Sequence, residues 1–209
     1  TIKSLQKLAK VVVAFLIRKA RISRAILFVR SEETPGFSMI ACRPLYRGDY
    51  RFLRKEHAMI QALERDKRPL ERSVIANDLK NEPSAERERE LKGILALMDD
   101  CKVDVIIPSF LYMEEGRKNT DGHQALLRCL LFLGPKKSDE EYNQEDLDVF
   151  YTLAQESAIA VENARLFDEA VNRSCELEKM NEELQEMNKR LQVTQASLIV
   201  AEKSATMVG

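Results

Sequence analysis

The sequence predicts an α/β domain built on an antiparallel sheet of about five strands and continued by a long carboxyl-terminal coiled-coil helix. Three observations predict it. Short β-branched and aromatic stretches alternate with amphipathic ones, turn residues separate them, and residues 142–208 contain neither Gly nor Pro.

The elements follow in chain order. Leu5, Leu8, Val12 and Leu16 recur at three- and four-residue spacing, which predicts a helix over residues 2–20 with one apolar stripe. Residues 25–29 and 37–42 have strand character and are separated by Pro35 and Gly36, so they read as a hairpin. After Pro44 comes a polar segment, then a helix over residues 55–65 carrying Ala58, Met59, Ala62 and Leu63. Pro69 precedes a short strand predicted at residues 72–76. Ser84 opens a second crossing helix, whose apolar side is Leu91, Ile94, Leu95 and Met98 and which ends near Asp100. Residues 103–107 and 126–133 form a second hairpin, which stops at Gly134 and Pro135; its connection, residues 114–123, is polar and exposed. Asn143 stands three residues before Asp146, where its side chain can accept from the free amide of the first helical turn, so the last helix begins there. Nothing stops it afterwards, and at 1.5 Å per residue a helix of roughly 60 residues is about 90 Å long.

The far part of that helix carries a heptad. With Leu177 at position a, Leu184, Leu191 and Leu198 follow at a, while Met180, Met187, Thr194 and Ala201 fall at d. The other faces hold Glu, Gln, Asn and Lys, so the apolar stripe is as narrow as a two-stranded coil requires. A parallel homodimer is expected, with Leu177, Met180, Leu184, Met187, Leu191 and Leu198 in its seam.

Composition bounds the function. At 209 residues, 44% apolar and 32% charged, the chain is globular, with room for one domain and an extension. The 33 basic and 34 acidic side chains leave a formal charge of −1, so no field draws in nucleic acid and none is expected as a partner. Residues 11–17, between Lys10 and Arg18, are the longest apolar run and fall short of the roughly 20 needed to span a bilayer, so no membrane insertion is expected. The amino end has no secretory signal, and its lack of an initiator Met is expected of a piece of a longer protein. Cys42, Cys101, Cys129 and Cys175 fit no metal-ligand spacing, which points to a reducing, cytoplasmic compartment.

With these elements in place, residues 4–171 resemble a GAF domain. The carboxyl half carries the likeness: residues 105–108, 130–135, 142–147 and 154–167, with Glu162, Asn163, Ala164, Arg165 and Leu166 in the last run, look like the family's final strands and closing helix. Pro135, Lys136, Tyr142 and Asp146 match part of the motif of cyclic-nucleotide-binding members; Tyr142 replaces the usual Phe and Leu147 the usual Glu. Residues 196–209, with Ala201, Glu202 and Lys203, resemble the approach to the phosphoacceptor helix of sensor histidine kinases, whose His would lie beyond Gly209. The resemblance implies a sensory domain over residues 1–171 and a dimeric transmitter helix over residues 172–209. It also implies that the first and closing helices pack on one face of the sheet and the crossing helices on the other.

Few residues carry chemistry. No phosphate-binding Gly-rich loop is present among the seven glycines, and the two histidines, His57 and His123, lack the surroundings of a phosphoacceptor and read as solvated. The fragment itself is therefore not expected to be an enzyme. Lys102 follows Cys101 where tetrapyrrole-binding relatives would have a His, and Cys42 and Cys129 read as small buried hydrophobes. Arg43, Arg47, Arg51 and Arg54 make the segment after the second strand basic. In the family this region borders the ligand pocket, so the resemblance implies a small-molecule site among Arg43, Tyr46, Arg47, Cys101 and Tyr112, its ligand and cofactor unknown. Two other readings stay open: a domain that only dimerises, and a thiol-based redox sensor or enzyme.

Overall fold

A computed structural model describes residues 2–31, 34–45, 48, 50–81, 84–113 and 124–206. The chain divides into two compact units, residues 1–164 and 165–209.

In the first unit α1 (Ile2–Lys19) leads into β1 (Ala25–Arg30) and β2 (Gly36–Arg43). β3 (Phe52–Arg54), α2 (Ala58–Asp66), β4 (Leu70–Glu71), α3 (Arg72–Lys80) and α4 (Ala85–Cys101) follow, then β5 (Val105–Met113) and β6 (Gln124–Leu133). The strands form one six-stranded sheet in the order β3-β2-β1-β6-β5-β4, and every pairing is antiparallel. Ala25 and Val105 both face Leu133, so the two hairpins join side by side through β1 and β6. α5 (Gln144–Thr206) closes the first unit and continues as the second.

The sheet alternates its side chains between two apolar layers, as the period of two in a strand requires. Ile26, Phe28, Ile106, Leu130 and Phe132 turn toward α2, α3 and α4, where they meet Met59, Leu63, Leu91, Ile94 and Met98. Leu27, Ile107, Cys129, Leu131 and Leu133 turn the other way, onto Val13 and Leu16 of α1 and Phe150, Ala154 and Ala158 of α5. The expected division of helices between the two faces is present.

Local chemistry sets the ends. Ser84 accepts from the Arg87 amide and opens α4, while Lys67 and Lys102 close α2 and α4 in the left-handed region, with φ of 51° and 54°. Gly36 has φ 155°, and a Cβ there would fall 2.2 Å from the Leu53 carbonyl oxygen, so only Gly lets β3 pair with the start of β2.

Two expectations need correction. The strand predicted at residues 72–76 is helical: pairing stops after Leu70 and Glu71 reach Ile106 and Val105, and Arg72 starts α3. Val74 and Ile75 have strand propensity, but α3 buries only Ile75, a one-sided demand that a single helical turn meets. His57 is not solvated. It is half-buried and caps α2, its Nδ1 accepting from the Met59 amide at 3.2 Å. His123 lies outside the described residues.

Candidate functional site

The residues expected around a ligand separate into different environments. Arg43 ends β2 in solvent and lines a groove of about 240 Å³ with Lys10, Val13, Ala41 and Cys42. A neighbouring groove of about 290 Å³ shares Lys10, Ala41 and Cys42 and adds Leu45 and Arg51. Cys101 lines neither groove; it is fully buried at the end of α4, within the crossing-helix layer. Tyr112 lies in β5 opposite Ala125. Tyr46 and Arg47 fall outside the described residues.

The crossing-helix layer, where the resemblance implied a pocket, is filled by side chains. Phe28 and Phe132 meet at a tilt of 46° with ring centroids 4.9 Å apart, and Met59, Ile60, Leu63 and Met98 are fully enclosed in the same layer. The buried polar side chains among the described residues are Ser109, Arg128 and Ser157. Each of them engages or belongs to α5 on the other face, so the crossing-helix layer offers a ligand shape and apolar contact but no described buried polar partner. A wider cleft of about 450 Å³ opens at the margin of this layer, with Ile75, Leu91 and Ile94 as floor and Asp66, Arg68 and Asp78 at the rim. Arg65 and Arg87 beside it are both tied to Glu90, at 3.0 and 2.6 Å.

The cysteines are not gathered. Cys101 and Cys129 occupy opposite layers of the sheet, Cys42 donates to the Pro44 carbonyl at 3.0 Å, and Cys175 is exposed in the second unit. Burial pushes the Cys129 thiol up to about 12, which keeps it protonated and poorly nucleophilic at neutral pH.

The residues that partly match the nucleotide motif hold the start of α5 instead. Asn143 Oδ1 accepts from the Asp146 amide at 2.8 Å, and Asp146 Oδ2 accepts from the Asn143 amide at 3.1 Å, a reciprocal box that satisfies two free donors. Lys136 donates to the same carboxylate and lies 5.4 Å from the centroid of the Tyr142 ring. Burial pushes the Asp146 carboxyl up, but the Lys136 ammonium and the Asn143 amide outweigh it and hold the group below its ordinary range. Tyr142 donates to the Gly134 carbonyl, and burial raises its phenol far above the usual value, so it stays a neutral donor.

Further along α5 the heptad stripe faces outward. Leu177, Met180, Leu184, Met187 and Leu191 are each more than half exposed, between 54% and 61%. Leu198 lies in the helix, but its side chain is outside the described residues. Counting the same heptad backwards reaches Leu166, Ile159 and Val149, which are also exposed, at 48%, 45% and 57%. The buried positions of α5, Leu147, Phe150, Ala154, Ala158 and Val161, lie between them on the opposite side of the helix. The sequence pattern marks residues 177–198 as an apolar stripe but not the exposure of Val149 and Ile159, because these are indistinguishable from core residues until the sheet shows which face is covered.

No family model matches the chain, and no curated protein matches it. Solved structures do. A methyl-accepting chemotaxis protein fragment, residues 122 to 287, has a TM-score of 0.54 over 79% of this chain and 95% of its own, at 12% identity. The GAF domain/HD domain protein from Geobacter sulfurreducens gives 0.53 over 79% of this chain and 96% of its own, at 10% identity. The blue-light absorbing form of the PixJ GAF-domain from Thermosynechococcus elongatus gives 0.51 over 82% and 92%, at 10% identity. Identities this low establish fold alone, and on that basis the chain has a GAF-type α/β fold, a six-stranded antiparallel sheet between two helical layers, that ends in one long helix.

Proposed function

We propose that this chain is the sensory input and dimerisation region of a cytoplasmic sensor histidine kinase, with a sensory domain over residues 1–171 and a parallel coiled coil over residues 172–209 that relays the input to a kinase core. The observation that carries the proposal is α5 itself. One helix buries Phe150, Ala154 and Ala158 in the domain and then presents a Leu/Met heptad to solvent. An exposed apolar stripe costs about 25 cal/mol per Å² until something covers it, and a second copy of the same stripe is the partner whose shape and spacing match.

The flanking positions are compatible with the parallel pairing. Positions g hold Glu176, Glu183 and Arg190, while positions e hold Asn181, Asn188 and Gln195. A parallel pair sets each g residue against a neutral amide of its partner, so no like charges meet across the seam. The similarity of residues 196–209 to the approach of a phosphoacceptor helix supports a kinase as the output. Among the described residues no helix is long and apolar enough to cross a membrane. The fold neighbours named above include a methyl-accepting chemotaxis protein and a blue-light absorbing GAF-domain, which is compatible with a sensory reading.

The test is oligomeric state. The 24.0 kDa chain should sediment as a dimer, and Leu184→Asp with Leu191→Asp should yield folded monomers. A double variant that remains a dimer would remove the coil as the element that joins the chains.

A second reading is favoured by the filled crossing-helix layer: the domain dimerises and holds no small ligand. Native mass spectrometry of the purified chain decides between them, since a retained small molecule supports ligand sensing and a bare chain mass supports the interaction module.

A further inference from the structure

β6 carries one residue more than β5 pairs with. Ser109 faces Cys129 and Phe110 faces Leu127, so Arg128 has no opposite number in the ladder. An extra residue of this kind turns two successive side chains toward one face, and bulges recur where a side chain has to be re-aimed. Cys129 belongs to the α1/α5 layer, and Arg128 reaches the same layer with 6% of its surface exposed. There its guanidinium meets the Glu162 carboxylate of α5, Nη2 at 2.5 Å and Nε at 2.6 Å. The other strand of the bulge is held by the same helix: Gln155 Oε1 accepts from the Phe110 amide at 3.1 Å and from the Ser109 hydroxyl. Gln155 and Glu162 are seven residues apart, so they lie on one line along α5.

The remainder of this contact is apolar, made by Leu147, Phe150, Ala154, Ala158 and Val161. Apolar contact is non-directional and by itself tolerates small rotations of a helix on a sheet. A largely enclosed ion pair behaves differently, and here the two side chains are 8% and 14% exposed. It adds little net stability, yet any setting that separates the partners gives up two short charge-assisted contacts in a largely enclosed place, so it selects one arrangement and penalises its neighbours.

We propose that the bulge is a two-point clasp: Arg128–Glu162 and Ser109/Phe110–Gln155 fix the rotational setting of α5, and they make displacement of the β5–β6 hairpin and rotation of the helix one motion. The consequence for an output domain rests on the relay reading; the clasp does not, and it is tested on this chain alone.

The experiment is hydrogen exchange on the purified 209-residue chain. Arg128→Met with Glu162→Met replaces both charges with apolar groups of similar length and should stay folded, with a melting temperature within a few degrees of the parent. Its amides at residues 154–164 and at residues 105–111 should exchange at least tenfold faster, together. Arg128→Met alone takes the guanidinium away from the largely enclosed Glu162 carboxylate and should lower the melting temperature by about 10 °C. The reversed pair, Arg128→Glu with Glu162→Arg, should recover slow exchange. A folded double variant with parental exchange in α5 overturns the clasp, and acceleration confined to the helix overturns its coupling to the hairpin. If the double variant does not fold, Gln155→Met, which removes the other point without touching a charge, takes its place under the same two criteria.

Discussion

His57 ties the start of α2 to a protonation state. Its Nδ1 accepts from the Met59 amide, which only a neutral ring nitrogen can do, and burial lowers its pKa below the ordinary 6.5. The unfolded chain therefore takes up a proton first as pH falls. The stability that this cap contributes is fully present above about pH 6.5 and is lost progressively as pH drops toward the folded value. His57→Asn supplies a capping oxygen that does not titrate. Thermal melts between pH 7.5 and pH 5 should fall with pH in the parent and stay flatter in the variant; parallel curves would show that the imidazole is not the titrating cap. A sequence cannot reveal this role, because His57 stands one residue outside the helix and capping by an imidazole carries no motif. The clasp residues were hidden for a related reason. Arg128 interrupts an apolar run, Gln155 and Glu162 sit on a mostly polar helix, and each taken alone reads as solvated. Only the bulge, which shifts the in/out alternation by one residue, places Arg128 opposite Glu162.

The elements with strong periodicity or defined caps were legible, and the short ones were not. α1, β1, β2, α4 and β6 fall within a few residues of their predicted bounds because each has either a long apolar stripe or a run closed by Gly and Pro. β3 has three residues and β4 two, too few to display alternation, and their existence depends on the neighbouring strands that pair with them. The start of α5 was read correctly from two side chains. Asn143 accepts from the Asp146 amide as the spacing implied; the return bond from the Asn143 amide to the Asp146 carboxylate and the Lys136 cation are additions the structure shows. Asn143→Ala should cost about 1 kcal/mol, a fall of about 2–4 °C in melting temperature for a domain of this size, whereas Asn143→Ser should retain most of it. Equal losses for both variants would assign the start of α5 to packing rather than to the cap. The candidate ligand residues were the least legible set. Arg43 stands where the sequence put it, at the end of β2, and Cys101 ends the predicted helix, but one is in solvent and the other in an apolar layer. Sequence position says where a residue lies along an element and not which face it takes when the element is only loosely periodic.

The relay reading depends on phase along the whole of α5. The helix contains no Gly or Pro between Gln144 and Thr206, and its exposed stripe Leu177, Met180, Leu184, Met187 and Leu191 keeps a single heptad register. In such a helix each residue removed rotates everything downstream by roughly 100°, whereas seven residues return the same face to within about 20°. A relay that works by rotation or register must therefore respond to phase, and a passive tether responds only to length. In the full-length protein, deleting residues 180–186 should leave signal-dependent kinase activity in place, because Met187 and Leu191 step into the positions vacated by Met180 and Leu184. Deleting residues 180–183 instead turns the downstream stripe by roughly 40° from its original line, puts Leu184 where Met180 stood, and shifts every later a position to d. That variant should be fixed in one activity state, high or low, whatever the input. The readout is autophosphorylation of both variants with and without the stimulus that activates the parent. Retained response after the loss of seven residues, with a locked state after the loss of four, is the pattern that rotation through the coil demands. Equal and responsive activity in both would leave the coil as a device for holding two chains together, and the path of the signal would then have to run outside α5.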